Sequence, residues 1–504
     1  MTTASDIRPA DAVGQQALAV EINGLNPIDE SERHGHPRIL FWPWFAANVS
    51  VLGVSYGSFL LGFGISFWQA TLVAIVGIFV SFLFCGFISL AGKRGSAPTL
   101  TLSRAAFGVH GNRVPSVIAW LLTVGWETVL ASLAVLATST VFTELGLDGG
   151  TPTKVITLIV VVLLVIGGGV FGFHLIMRMQ VAITIITAIL TILYIVLVFG
   201  HIDFAAVMAV PDGNVQQLIG GFVFMMTGFG LGWVQAAADY SRYLPRSASS
   251  RGVVGWTTFG ASLAPVILVV FGLLLAASST DLSNAIGLDP IGALTSILPV
   301  WFLIPFAIVA VLGLIGGAVL DIYSSGIALL SAGLRVPRAV AAGIDGVIMI
   351  IGAVYIVFFA GSFIAPFQGF LITLGVPIAA WCGIFLADMT LRRTDYSESD
   401  LFRAKGRYGS VNWLAIGTLA LGTFLGWGLV VNPFGIEWLN WQGYLLGPFG
   451  LGGREGTWGF ANLGVLVALV VGYLGVVLFG RRMVQHQESL PERMRETAQE
   501  AERT

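Results

Sequence analysis

The chain has 504 residues, 56% of them hydrophobic and only 10% charged, with a formal net charge of −2. Soluble domains carry about 25% charged residues, so the composition excludes a water-soluble enzyme or a nucleic-acid binder and points to a polytopic membrane protein in a lipid bilayer. The 64 glycines agree, because helices packed closely in a bilayer favour small residues.

Residues 1–40 are polar and read as a cytoplasmic N-terminal tail; the apolar run that follows is too long for a cleaved signal. Twelve apolar spans then follow, near 41–62, 68–91, 115–142, 154–173, 179–200, 217–238, 253–277, 299–320, 339–360, 364–388, 412–431 and 458–479. Each is long enough to cross ~30 Å of hydrocarbon. Residues 480–504 read as a second polar tail, with a short charged helix possible after Pro491. When the connections are sorted by side, every Lys and Arg except Lys154 and Arg454 falls on one face. Basic residues mark the cytoplasmic side, so both termini are expected inside the cell, at the cell membrane.

Span 1 reads "NVSVLGVSYGSFLLGFG" and span 6 reads "MMTGFGLGW", each crowded with glycine. Glycine weakens a helix by about 1 kcal/mol relative to alanine, and loosened backbone in a bilayer must line a protein cavity. Spans 1 and 6 open two five-span sets that enter from opposite sides, a first repeat over 41–200 and a second over 217–391. Paired interruptions at equivalent places mark the midplane site of a transporter. The competing reading is that these glycines only allow close helix packing. Spans 11 and 12 (412–479) lie outside the repeat.

Three carboxylates fall within or near spans: Glu127 beside Trp126 in span 3, Asp321 late in span 8 and Asp345 early in span 9. Intramembrane carboxylates are functional candidates by default. Phe229, Trp233 and Trp126 offer flat faces to a flat ring. Asp239 and Arg242, one helical turn apart at the basic face, suggest a gate or anchor; Asp388 and Arg392 read as structural. Cys85 and Cys382 have no metal-ligand spacing and read as small buried hydrophobes. No phosphate-binding loop, metal motif or cofactor fingerprint is present, so a gradient is the expected energy source and an enzyme is not expected.

The run "GSAPTLTLSRAAFGVHGNRVPS" (95–116) resembles the signature of the nucleobase:cation symporter-1 family, the purine–cytosine permeases. "DYSRYLP" (239–245), "LDIYSSGIALLSAG" (320–333) and "RHGHPRILFWPWFAAN" (33–48) resemble it too. The resemblance implies an all-α fold of twelve transmembrane helices, with a 5+5 inverted-repeat core of the leucine-transporter type plus two peripheral helices. It implies import of a small heteroaromatic compound, cytosine or a purine, by cation symport and alternating access. Allantoin or hydantoin, uracil, the vitamins thiamine and pyridoxine, or an uncoupled facilitator or sensor are the alternatives.

By the same resemblance Phe229 stacks on the ring, with Gly228 and Gly230 presenting backbone beside it. Where relatives place aromatic and amide side chains in helix 3, this chain has Leu130, Ser132 and Leu136, so Glu127 is a substitute polar reader. Asp321 stands about where relatives have a ring-bonding Asn, and Gln368 is a further amide. Sodium-using relatives bind the ion between helix-1 carbonyls, here near Asn48 and Val51, and two helix-8 hydroxyls. Those hydroxyl places hold Ile315 and Gly316. A proton is therefore expected in preference to sodium, with Asp321 or Glu127 as its carrier.

Overall fold

The structure is a computed structural model that describes residues 25–171, 173–334, 338–432 and 436–490. The possible helix after Pro491 and most of the N-terminal tail lie outside these residues. Helices occupy all twelve expected places. Spans 2 to 5 are Phe67–Gly95, Arg113–Glu144, Thr151–Phe171 and Phe173–Val198; spans 7 to 10 are Ser250–Ser278, Val300–Ser331, Arg338–Phe358 and Ile364–Leu391. Spans 11 and 12 are shorter, at Trp413–Trp427 and Gly464–Phe479. Span 1 is two helices, Phe41–Asn48 and Leu52–Leu61, and the regular part of span 6 is Val215–Gly228. Capping boxes start two of them: Ser66 with Gln69 before span 2, and Asn214 with Gln217 before span 6.

The packing has an internal symmetry. Span 1 lies along span 7 and span 6 along span 2; spans 2 and 7 pack together, as do spans 3 and 8. Span 8 contacts spans 4 and 5, and span 3 contacts spans 9 and 10. Exchanging each span n with n+5 maps this set of contacts onto itself, which is the 5+5 arrangement. Spans 11 and 12 pack on span 10 and on each other, outside it.

Close approach of spans 1 and 7 depends on two facing glycines. A Cβ on Gly272 would stand 1.8 Å from the Val54 carbonyl oxygen, and one on Gly57 would stand 2.3 Å from the Gly272 carbonyl carbon. The neighbouring atoms are backbone and cannot rotate away. Gly272→Ala is therefore expected to cost about 1–3 kcal/mol or more, as overpacking does. The measurement is the thermal midpoint in detergent; a midpoint equal to wild type would mean the two spans separate freely.

Candidate functional site

The two broken spans come together near their breaks. In span 1 the first helix ends at Asn48, Val49 (φ −81°, ψ 89°) turns the chain, and the halves meet at 68°. No glycine makes this break. Gly53 and Gly57 sit inside the second helix and pack against span 7, as the close-packing alternative holds. In span 6 the glycines do coincide with the break. The helix stops at Gly228, Phe229 (φ −120°, ψ −106°) redirects the chain, and single 3-10 turns follow at Gly230–Gly232 and Val234–Ala236. Gly228 lies against the Tyr56 ring and Gly232 against the Trp126 indole nitrogen, positions where a Cβ would crowd both rings.

Between the breaks is a cavity of about 130 Å³. An apolar cavity of ~150 Å³ holds benzene, so this space suits a small ring. Residues 46–53 of span 1 form one wall, with the backbone near Asn48 and Val51 among them. Gly228, Phe229, Trp233 and Gln235 of span 6 form another, and Trp126 of span 3 a third. Span 8 adds Gly313, Gly317 and Asp321. Tyr56 stacks obliquely on Phe229 at 4.6 Å and meets Phe367 at 5.9 Å, closing the cavity on the side away from the basic face.

Four of the expected substrate residues are not on this wall. Thr123, Trp126 and Leu130 form its stripe on span 3 at i, i+3 and i+7. Ser132 lies off that stripe and donates to the Thr128 carbonyl at 2.7 Å. Glu127 is also off it, toward spans 8 and 9. Gln368 opens instead into a separate pocket with Phe59, Phe224 and Ser283, beyond the aromatic closure. Gly230 packs on span 2, where its N–H donates to Ser81 Oγ at 3.1 Å and its carbonyl accepts the Cys85 thiol at 3.2 Å.

Two short-helix loops hold the broken spans. Between spans 2 and 3, Thr99 donates through its N–H (2.8 Å) and Oγ1 (2.7 Å) to Asp239 Oδ1, and accepts from the Ala238 N–H at 2.8 Å. Between spans 7 and 8, the Pro290 carbonyl accepts from Ser55 Oγ at 2.6 Å, and Ser283 pairs with Ser58 at 2.8 Å. Asp239 thus ties the motif 95–116 to the end of span 6, while the Arg242 guanidinium lies 5.1 Å over the Tyr243 ring. On the same face Arg246 bridges Glu30, Asp395 and Glu398, and its hydrogen bond to Glu30 holds that carboxyl below the usual range. Asp388 and Arg392 form a buried two-point ion pair at 2.8 and 3.0 Å, extended by Gln487 of the C-terminal helix Arg481–Ser489. The N-terminal segment, the connections between spans 2 and 3, 6 and 7, and 10 and 11, and that helix therefore share one face.

A family profile described as permeases for cytosine/purines, uracil, thiamine and allantoin matches residues 27–447. The chain belongs to this permease family. The putative purine-cytosine permease YxlA of Bacillus subtilis (strain 168) is 24% identical over 482 residues, 94% of this chain and 99% of that protein. Purine-cytosine permease FCY2 of Saccharomyces cerevisiae is 26% identical over 241 residues, 46% of this chain and 44% of the yeast protein. Among solved structures, inward-facing Mhp1 superposes with a TM-score of 0.68 at 18% identity, covering 93% of this chain and 97% of that one. The closed form of Mhp1, a nucleobase-cation-symport-1 family transporter with bromovinylhydantoin bound, gives 0.65 at 19%, covering 93% and 99%. These two likenesses speak for the fold. The protein is a multi-pass membrane permease and not an enzyme.

Three features of the permease escaped the sequence reading. Gln235 lines the cavity; its amide nitrogen donates to the Gly232 carbonyl at 2.7 Å, and its buried Oε1 has no partner. Thr184 and Thr187 of span 5 line it with hydroxyls that also lack partners. On span 2, Ser81, Cys85 and Ser89 recur every four residues, one above another on a helix face. They bond in turn to Gly230 and to the Ala237 carbonyl, the last at 2.7 Å. Cys85, expected as a small hydrophobe, is also a donor to unwound backbone. An i, i+4, i+8 stripe of small polar residues is the signal that would have found this ladder.

Proposed function

We propose that the permease imports an amino-bearing nucleobase, cytosine or a purine, by proton symport. Transport of nucleobase-type compounds by alternating access follows from the family and the fold. The proposal adds the substrate, the ion and the direction. One observation carries the substrate: a ring-sized cavity with an aromatic face, Phe229, the buried Asp321 carboxyl and the unpartnered Gln235 Oε1. Buried polar atoms need partners, and acceptors are matched by the N–H and amino groups of such a ring. The names purine-cytosine permease carried by YxlA and FCY2 agree. Import into the cell, with both termini cytoplasmic, rests on the basic face.

The preference for a proton rests on span 8, where Ile315 and Gly316 offer no side-chain oxygen. A sodium reading has one observation in its favour, the Thr184 and Thr187 hydroxyls on the cavity wall opposite span-1 backbone. The test is uptake of labelled cytosine into proteoliposomes under an inward proton gradient without sodium, and then under a sodium gradient alone. Accumulation in the first case that collapses with an uncoupler is expected. Accumulation only in the second would reverse the ion assignment. A competition panel of purines, uracil, allantoin, hydantoin, thiamine and pyridoxine ranks the substrates.

A further inference from the structure

Glu127 lies in the middle of span 3, fully buried, and neither of its carboxyl oxygens has a hydrogen-bond partner. The groups that face it are Ser325 and Asp321 from span 8 and Asp345 from span 9, with no cation among them. Asp345, equally buried, is served differently. The Trp120 indole nitrogen donates to Oδ1 at 2.7 Å, and Ser325 Oγ donates to Oδ2 at 2.6 Å. Ser325 has a second acceptor in the Ile322 carbonyl at 2.9 Å, so its single hydrogen is already engaged and its lone pairs remain.

An ionised carboxylate buried without donors or a counter-charge costs several kcal/mol, more so at membrane depth. Two carboxylates close together do not both ionise without such compensation. With two donors, Asp345 is the member built to carry a negative charge. Glu127, with none, is the member built to carry a hydrogen. We propose that the cluster of Glu127, Ser325 and Asp345, wedged between spans 3, 8 and 9 behind the cavity, is where the permease holds its coupling proton. The assignment rests on the proton-symport reading above.

The cluster also supplies a route. For the transfer the Glu127 side chain first turns onto Ser325 Oγ, which it does not bond in this structure; it then donates there while Ser325 passes its own hydrogen to Asp345. One O–H bond breaks on Glu127 and one forms on Asp345, with no other reactant. Asp345 is eight residues into Arg338–Phe358, near its basic-face end. Glu127 adjoins Trp126 of the cavity wall and has Asp321 of the same wall as a neighbour. The proton therefore sits between the substrate and the face at which it is released.

The test compares wild type, Glu127→Gln, Glu127→Asp and Asp345→Asn in proteoliposomes. Three readouts are taken: proton-driven accumulation of labelled cytosine, counterflow exchange without a gradient, and proton entry with substrate followed by an internal pH dye. The assignment expects Glu127→Gln to exchange substrate while accumulation falls to the equilibrium ratio and coupled proton entry disappears, with Glu127→Asp restoring both. Wild-type accumulation and proton entry in Glu127→Gln overturn the assignment alone. A wild type indifferent to the proton gradient overturns the symport reading and this assignment with it. If Glu127→Gln fails to fold, Asp345→Asn decides by the same criteria.

Discussion

Replacing Asp321 with Asn is expected to raise the KM for cytosine about 10- to 150-fold while leaving accumulation at saturating substrate dependent on the proton gradient. The residue lies on the cavity wall, where the proposed binding mode has its carboxylate accept from ring N–H groups. A hydrogen bond to a charged group contributes about 1.5–3 kcal/mol, and 1.4 kcal/mol is tenfold in affinity. The amide keeps the shape but turns one acceptor into a donor that faces the substrate's own donors. The measurement is KM together with the accumulation ratio in the same vesicles. An unchanged KM with lost accumulation would make Asp321 the proton carrier and not a substrate contact, moving the proton from behind the cavity into it.

Phe229→Ala is expected to weaken binding of a flat ring by about 1–3 kcal/mol, the range for stacking a base on an aromatic side chain. The ring stands at the break in span 6, its outer neighbour is Tyr56 at 4.6 Å, and it is 94% buried by the surrounding spans, with 6% relative exposure. Its removal takes away both a stacking face and part of the aromatic closure, so affinity falls and the outer seal loosens. Phe229→Tyr keeps the face and is expected to retain most of the affinity. Equilibrium binding of labelled cytosine to the detergent-solubilised permease is the measurement. Equal affinities for wild type and Phe229→Ala would remove the residue from the site.

The apolar helices were legible because a bilayer demands long apolar runs; among the described residues nine are long and apolar enough to cross a membrane, or up to eleven if each bent pair is one span. The break in span 6 was legible through Gly228, Gly230 and Gly232. The break in span 1 was readable in place but not in cause. It falls at Val49, followed by Ser50 and Val51, where no glycine announces it, and Asn48 folds its amide back onto the Trp44 carbonyl at 2.9 Å. The glycines that drew attention there serve the crossing with span 7. Gln235 was missed for a related reason. Beyond Gly228 the helical pitch is lost, so counting faces at 3.6 residues per turn no longer says which side chain meets the cavity. In span 3 the pitch is intact, but one residue of rotation separates Trp126 on the wall from Glu127 behind it, a distinction that composition and spacing do not resolve.

The two halves of the carrier fasten each other reciprocally. The loop of the first repeat grips the broken helix of the second at Asp239, and the loop of the second grips the broken helix of the first at Ser55 and Ser58. These act as two latches on opposite faces, and they are chemically unequal. The one at Ser55 and Ser58 is built of neutral hydroxyl bonds, each contributing about 0.5–1.5 kcal/mol, whereas the one at Asp239 ends on a carboxylate, where about 1.5–3 kcal/mol is usual. A few kcal/mol is the whole difference between the populated states of a two-state protein. A handful of loop atoms therefore makes the fastening at Asp239, on the basic face, the firmer of the two.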